Sequence, residues 1–386
     1  MPRIVFYVQH LLGIGHLKRA ATLGRGLVDQ GFEVTLVSGG RPVPGLDTGS
    51  ARFVQLPPAR AVDIYFRKLV DEHDRPIDDA WRARRRAALL CAFSDARPDV
   101  LMTELFPFGR RQFRFELLPL LERVRSLSSP PRVVCSVRDI LVASAKPERT
   151  MEMLELVREF YDLVLVHGDP NLIPFDKTFP HASAIADRWR YTGYIVDRPA
   201  AALGAGGPPE VLVSAGGGAV SEPLLEAAFG ARPESGLSHL TWRFLIGHHL
   251  PEDRFEAFRS RAGPGIVVER ARSDFLSLIR RAALSISQGG YNTVMEVLDA
   301  GVRAVVVPYA GGLETEQTLR ARLLAERGLI HVVEETELGA ARIAEAVIRA
   351  TAGPAPGALA FDTGGLTRSA RLIGEALQTG SQLKTS

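Results

Sequence analysis

Eleven short apolar runs, rich in Val, Ile and Leu on both faces, are spaced along the chain by stretches of helical pattern. This spacing restricts the fold more than any other feature. The first five are "RIVFYV" (Arg3–Val8), "EVTLVSG" (Glu33–Gly39), "DVLMTE" (Asp99–Glu104), "RVVCSV" (Arg132–Val137) and "DLVLVHG" (Asp162–Gly168). After the Pro-, Gly- and Ala-rich stretch Tyr194–Glu210 the pattern restarts with "EVLVSAGGG", "TWRFLIG" (Thr241–Gly247), "GIVVER" (Gly265–Arg270), "AALSIS" (Ala282–Ser287), "RAVVVPY" (Arg303–Tyr309) and "IHVVE" (Ile330–Glu334). Strands apolar on both faces and alternating with helices predict parallel sheets covered on both sides. A chain of 386 residues is also too long for one ordinary core. The expectation is an α/β protein of two doubly wound Rossmann-like domains facing each other across a cleft. Residues 1–197 form the first, 198–209 a linker, 210–360 the second, and 361–386 a C-terminal amphipathic helix and tail. Ligands of such sheets sit beyond the carboxyl ends of the strands, so the cleft is the expected site.

Composition narrows the function classes. No apolar run reaches the roughly 18 residues of a membrane span. The N-terminal run is broken by Gln9 and His10 with no small-residue cleavage site after it, and reads as strand and turn, not as a signal peptide. Cys91 and Cys135 give neither a disulfide framework nor metal-ligand spacing and read as two buried thiols, which fits a reducing, cytoplasmic setting. Residues 1–195 carry 28 Lys+Arg against 23 Asp+Glu, and the remainder 19 against 21, so the positive charge lies in the first half. The runs "WRARRR" (Trp81–Arg86) and "FGRRQFRF" (Phe108–Phe115) read as solvated faces or as contacts to an anionic surface, either lipid headgroups or a phosphorylated acceptor. Nucleic acid is not an expected partner, since no zinc-finger or RNA-recognition signature is present.

Three strand ends carry glycines. In "LLGIGHLKRA" (Leu11–Ala20), Gly13 and Gly15 precede a helix start bearing His16. That suits an anion, or a hydroxyl losing a proton to His16, but a histidine serving as helix cap explains it equally. "SAGGGAVSEP" (Ser214–Pro223) lets backbone amides of Gly216, Gly217 and Gly218 approach a phosphate, with no P-loop Lys at the required spacing. "QGGYNTVME" (Gln288–Glu296) contains Thr293 and Glu296 in capping-box spacing. Capping leaves Gly289, Gly290 and the polar cluster "GGLETEQ" (Gly311–Gln317) unexplained. There Glu314, Glu316 and Gln317 can hold vicinal hydroxyls such as those of a sugar.

The stretch Gln288–Gln317 resembles the donor-binding signature of GT-B glycosyltransferases: a glycine turn, an Asn-Ser/Thr pair, a Glu three residues on, a Gly-Val-Pro segment, a Pro-ended strand and an Asp/Glu-Gln pair. Here these read "GGYNTVME", "AGVRAVVVPY" and "EQ". "GIGHLKRA" and "SAGGG" are similar to the corresponding turns of the UDP-N-acetylglucosamine transferases of lipid II synthesis, which have a glycosyltransferase family 28-like C-terminal domain. The resemblance implies that Glu296 binds ribose hydroxyls. Gly289, Gly290 and Thr293, with Gln288 and Asn292 beside them, face a diphosphate lined also by Gly216–Gly218. Glu316 and Gln317 meet the donor sugar, and the strand end around Val268 and Arg270 meets the base. On the acceptor side it implies His16, beside Gly13 and Gly15, as general base or as the group that orients the acceptor; Arg110 and Arg111 are acceptor-side candidates from the basic, aromatic run that holds them. The sequence departs from the pattern at Gln288 (His in plant-type members), Arg303 (Pro), Glu316 (Gln) and Arg320 (Asn).

The implied reaction is metal-independent, inverting transfer of a sugar from a nucleotide diphosphate-sugar, UDP first among the bases, to a hydroxyl acceptor. Departure of the nucleotide diphosphate is stabilised by amides and helix starts. No Asp-x-Asp motif marks a metal site, and no cofactor beyond the donor is expected. Two alternatives stay open: a nucleotide-sugar hydrolase in which His16 positions water, and a non-catalytic nucleotide-sugar-binding protein. Within Thr103–Leu121, aromatic and basic residues alternate, which reads as a core-facing helix with a solvated Arg side, or as an acceptor groove or lipid-facing patch with peripheral contact to the inner face of an anionic membrane.

Overall fold

The computed structural model describes all residues except 64–65, 67, 142–145, 199–206, 216–221, 248–249, 273, 312–314, 354–355, 357–360 and 383–386. It divides into two compact units. One is Met1–Ile195 together with Phe361–Ser386; the other is Val196–Ala360. Most of the linker expected at 198–209, and Gly216–Gly218 and Glu314, lie outside the described residues.

In the first unit the strands are β1 (Arg3–Val8), β2 (Glu33–Ser38), β3 (Arg52–Gln55), a small antiparallel pair β4 (Arg60–Ala61) and β5 (Leu69–Val70), then β6 (Val100–Glu104), β7 (Arg132–Arg138), β8 (Leu163–His167) and β9 (Trp189–Tyr191). Among the described residues, seven of these form a parallel sheet in the order β3-β2-β1-β6-β7-β8-β9. Helices α1 (Gly15–Asp29), α2 (Asp79–Ala96), α3 (Arg114–Arg125), α4 (Pro147–Phe160) and the short α5 (Phe175–Thr178) connect them. Along β1, Val5 and Tyr7 join one buried cluster while Ile4, Phe6 and Val8 join another. A strand with no polar face has to be covered twice, and it is.

The second unit repeats the plan. Its strands are β10 (Glu210–Ser214), β11 (Thr241–Ile246), β12 (Ile266–Arg270), β13 (Ala282–Ser287), β14 (Ala304–Val306) and β15 (His331–Val332), and its helices α6 (Glu222–Ala231), α7 (Glu252–Arg259), α8 (Phe275–Arg281), α9 (Tyr291–Ala300), α10 (Glu316–Ala325) and α11 (Ala340–Ala352). The described strands pair in parallel in the order β12-β11-β10-β13-β14-β15. The last helix, α12 (Gly365–Gln382), returns to the first unit, where Ala370, Leu372 and Ile373 enter the cluster around Ile4 and Phe6. It is seated by Tyr194 N–H donating to the Asp362 carbonyl (2.7 Å) and by Asp362 N–H donating to Asp169 Oδ2 (3.0 Å).

Both α1 and α9 end in the same way. Gly31 (φ +89°) and Gly301 (φ +65°) take the left-handed conformation, and the N–H groups of Phe32 and Val302 reach back to the carbonyls of Leu27 and Val297 at 3.1 and 3.2 Å. This is the Schellman closure that Gly after a helix predicts.

Two sequence expectations need correction. The run "WRARRR" is not uniformly solvated: Trp81 and Arg85 are buried. The Arg85 guanidinium donates to Glu116 (2.8 and 2.9 Å) and to the carbonyls of Gly39 and Pro57 (both 2.7 Å), while Tyr7 Oη donates to Glu116 at 2.6 Å. A buried ion pair is tolerated because its remaining donors and acceptors are satisfied. A Cβ on Gly39 would lie 2.1 Å from the Arg85 guanidinium, and one on Gly40 2.2 Å from the His10 ring, so these glycines make room for side chains. Second, Cys91 is exposed, and only Cys135 is a buried thiol. The Phe/Leu-rich stretch is the core-facing helix expected of it: Phe113, Leu117, Leu120 and Leu121 are core residues, while Arg111 and Arg114 pair with Glu152 of α4.

Candidate active site

In each unit the strand order reverses at one point: between β1 and β6 in the first, and between β10 and β13 in the second. At such points successive connections leave towards opposite sides, which opens a crevice at the carboxyl ends of the two strands.

At the first crevice, α1 begins at Gly15, with Ile14 as N-cap and no side-chain cap. His16 therefore does not cap its helix. Its Nδ1 lies 2.8 Å from Oε1 of Glu104, the last residue of β6. Glu104 is 1% exposed and the His16 side chain 11%. Arg19, one turn along α1 and also buried, donates to the same carboxylate oxygen. Ser136 Oγ lies 2.7 Å from Glu104 Oε2. A buried carboxylate ion-paired to arginine stays ionised, so His16 Nδ1 carries the proton and donates it to Glu104, leaving Nε2 as the acceptor. Burial foremost, and then Arg138, Arg110, Arg19 and His10, hold the His16 pKa well below the usual histidine range. Glu104 opposes them. The ring is thus neutral at physiological pH, oriented through Nδ1 and basic at Nε2.

Arg110 has a left-handed backbone (φ +59°), which turns its Nε to the carbonyl of Gln9 at 2.7 Å. Burial and Arg138 push its pKa down to about 10. Arg110 therefore belongs to the surroundings of His16, whereas Arg111 turns to Glu152. Neither Gly13 nor Gly15 has a positive φ, so the turn does not require glycine for its backbone. A Cβ at Gly13 would meet nothing within 4 Å, and what this exposed position provides is space.

At the second crevice, Ser214 and Ser287 stand in register at the carboxyl ends of β10 and β13. Ser214 Oγ is buried and makes no hydrogen bond among the described residues. The turn after β13 needs its first glycine: Gly289 has φ +79°, and a Cβ there would lie 2.6 Å from Val306 Cγ1. Gly290 is the N-cap of α9 (φ −59°), with nothing within 4 Å of a Cβ. A ten-residue helix thus starts at a residue with no side chain of its own and room beside it, an arrangement that favours anions. The capping box proposed from sequence does not form, because the helix begins two residues before Thr293. Glu296, one turn further in, is buried.

The remaining donor-side residues are dispersed in role. Glu316 is buried and paired with Arg320 at 2.7 Å, and the Arg320 guanidinium lies 5.3 Å from the centroid of the Tyr291 ring. The two departures from the family pattern are therefore partners. Gln317 Oε1 accepts from Tyr309 N–H at 3.2 Å, so this oxygen holds the loop after β14. Arg270 spends its guanidinium on the carbonyls of Gly247 (3.0 Å) and Leu250 (2.9 Å) and on Glu252, and the Ala271 N–H goes to Ile246. Val268 is buried in the core of the unit. Arg303 reaches the Gly353 carbonyl at 3.0 Å. Gln288 and Asn292 flank the glycine turn, half-buried.

Sequence reasoning missed Glu104, Arg19 and Arg138. The only signal for Glu104 was a carboxylate ending an otherwise apolar strand. Among the described residues no group of three or more His, Cys, Asp or Glu is placed to hold a metal ion, and no helix is long and apolar enough to cross a membrane.

Residues 214–355 match the glycosyltransferase family 28 C-terminal domain. The curated relatives include UDP-N-acetylglucosamine–N-acetylmuramyl-(pentapeptide) pyrophosphoryl-undecaprenol N-acetylglucosamine transferases. That of Sinorhizobium medicae (strain WSM419) is 33% identical over 139 residues, 34% of this chain and 37% of the relative. That of Burkholderia orbicola (strain MC0-3) is 28% identical over 186 residues, 45% of this chain and 48% of the relative. The chain thus matches less than half the length of either relative. Among solved structures, the spinosyn rhamnosyltransferase SpnG complexed with thymidine diphosphate aligns with a TM-score of 0.59 at 16% identity, over 100% of this chain and 99% of that one. Acinetobacter baumannii MurG aligns with a TM-score of 0.51 at 17% identity, over 97% and 100%. The chain is therefore a GT-B-fold relative of the glycosyltransferases, and its second unit carries a family 28 C-terminal domain.

Proposed function

We propose that the protein transfers a sugar from a nucleotide diphosphate-sugar to an acceptor hydroxyl, with inversion at the anomeric carbon and without an obligatory metal. The observation that carries this reading is the His16–Glu104 couple at the first switch point: a neutral imidazole held by Nδ1 on a buried carboxylate, with Nε2 left to act. Such a group takes the proton of a hydroxyl as the hydroxyl oxygen attacks the anomeric carbon. Glu104 then steadies the imidazolium that forms. The second crevice serves the leaving group. The start of α9, the Gly289–Gly290 turn and Ser214 present donors to a diphosphate that gains charge as the glycosidic bond breaks, and Glu296 is assigned to the ribose. The names of the curated relatives support UDP as the nucleotide.

The acceptor is assigned an anionic group near its reacting hydroxyl. Arg110, Arg138, Arg19 and His10 all act on His16, with Glu104 bonded to it, a gathering of positive charge that an anionic acceptor would use. The pyrophosphoryl-undecaprenol in the relatives' names supports a phosphate or pyrophosphate on a lipid, and hence peripheral contact with the inner face of an anionic membrane.

The test runs in two steps. Thermal shift with nucleoside diphosphates should show UDP stabilising the protein most. UDP-sugars are then offered with and without phosphorylated-lipid acceptors. Transfer that needs the acceptor and vanishes in His16→Ala supports the reading. Rapid sugar release without acceptor would mean a hydrolase, and binding without turnover a non-catalytic protein.

A further inference from the structure

The hydrogen bonds of Glu104 do not stop at His16. Its other oxygen, Oε2, lies 2.7 Å from Ser136 Oγ, which is 2.9 Å from His167 Nε2, and His167 Nδ1 is 2.8 Å from Thr192 Oγ1. Glu104 ends β6, Ser136 faces it in register on β7, His167 ends β8, and Thr192 directly follows β9. One polar side chain is thus contributed by each successive strand, in a row across the carboxyl edge of the sheet. Ser136, His167 and Thr192 are all fully buried. Polar side chains at a sheet centre need a reason, since each carries a desolvation cost unless it is bonded.

We propose that Ser136 and His167 are positioning residues for the catalytic couple, forming a one-way chain of hydrogen bonds that ends on Glu104 Oε2 and keeps this carboxylate ionised and aimed at His16. This rests on the reading of His16 as the base.

The polarity follows from counting protons. A serine hydroxyl has one. If it goes to the carboxylate, His167 has to donate from Nε2 to the serine oxygen, and a neutral His167 then accepts at Nδ1 from the Thr192 hydroxyl. Every donor points towards Glu104. Burial, and then Arg19, hold His167 well below the usual histidine range, which agrees with a neutral ring carrying one proton. A competing arrangement exists. The Thr192 hydroxyl also lies 2.7 Å from the Gly193 carbonyl. Were it to donate there, His167 would carry its proton on Nδ1, Ser136 would turn its own to His167, and Glu104 Oε2 would lose its donor. The buried ion pair with Arg19 favours the first arrangement, because an ionised Glu104 draws the serine proton more strongly than a neutral imidazole does. The charged and titratable groups facing His16 are Arg19 on its own helix, His10 after β1, Glu104 on β6, Arg110 in the following loop and Arg138 at the end of β7.

Two measurements on the intact protein decide the matter. Imidazole nitrogen NMR is expected to find His167 with its proton on Nε2 across neutral pH. In Ser136→Ala the acid limb of kcat/KM should move up by about one pH unit, since Glu104, relieved of one donor, holds the His16 imidazolium more tightly. The donor KM should stay unchanged, and Ser136→Thr should restore the profile. His167→Asn should shift it in the same direction by a smaller step. A folded Ser136→Ala with an unmoved limb overturns the proposal, and so does a His167 proton on Nδ1. The NMR result stands even if Ser136→Ala fails to fold. If the wild-type protein transfers no sugar, the functional reading fails, and the network is judged by the His16 titration in Ser136→Ala: a shift supports it, and an unmoved titration overturns it.

Discussion

The two units share one strand order and one kind of crevice, yet they fill it with different matter. At the first, the crevice is lined by side chains: His16 bonded to the buried Glu104, the buried Arg19 on the same carboxylate, and Arg110 and Arg138, half-buried, acting on His16. At the second they are main chain and small residues: Gly289, Gly290, the start of α9, and two serines in register. Topology therefore fixes where a crevice opens and leaves open what lines it. A proton acceptor has to be tuned by neighbours, which needs bulk and charge around it. A diphosphate grip needs donors at close range, which needs side chains to be absent.

This contrast can be broken by substitution. The largest effect is expected from His16→Ala, which should cut kcat/KM by about 10²–10⁴-fold while calorimetry finds UDP affinity unchanged. Loss of UDP binding would mean that the crevices do not divide the work. Glu296→Ala should do the opposite, weakening UDP roughly 10–100-fold, the worth of one charged hydrogen bond, with the His16 NMR titration unmoved. Gly289→Ala places a side chain at φ +79° and against Val306. It should cost about 1–2 kcal/mol from the backbone alone, read by denaturant unfolding, and should weaken UDP without altering the pH profile. The smallest effect is on stability against pH. His16 and His167 are kept neutral in the fold, their pKa values well below the ordinary 6.5. Above about pH 6.5 neither the folded nor the unfolded state binds these protons, and nothing changes. Below it the unfolded chain takes them up while the fold does not, so stability falls with pH, by at most about 1.4 kcal/mol per unit for each ring. The Tm of His167→Asn should fall less steeply under acid than that of the parent.

Legibility in the sequence followed the same division. The central strands were readable because both faces are apolar. β3 and β9 were not, and they are the edges of the first sheet: "RFVQ" and "WRY" are short, charged and half exposed, which is what an edge strand requires and what makes it resemble a loop. The glycines after β13 were legible as a turn, since main-chain sites advertise themselves by missing side chains. The side-chain site was harder. His16 stood out, but Glu104 lies 88 residues away and only the β1–β6 pairing brings them together. Arg85 was read as solvated because its neighbours are, and periodicity does not reveal the buried Glu116 that accepts it. Thr293 and Glu296 had capping spacing, yet Gly290 is the N-cap, and a start signal three residues upstream overrides the motif.

The return of α12 has a consequence for synthesis. Leu372 and Ile373, which close the core over Ile4 and Phe6, leave the ribosome only after everything between Val196 and Ala360. Domains ordinarily mature in the order in which they emerge. Here the portion begun first is finished last, and the strands beneath His16 and Glu104 wait, with one flank open, until the whole second unit has already been made.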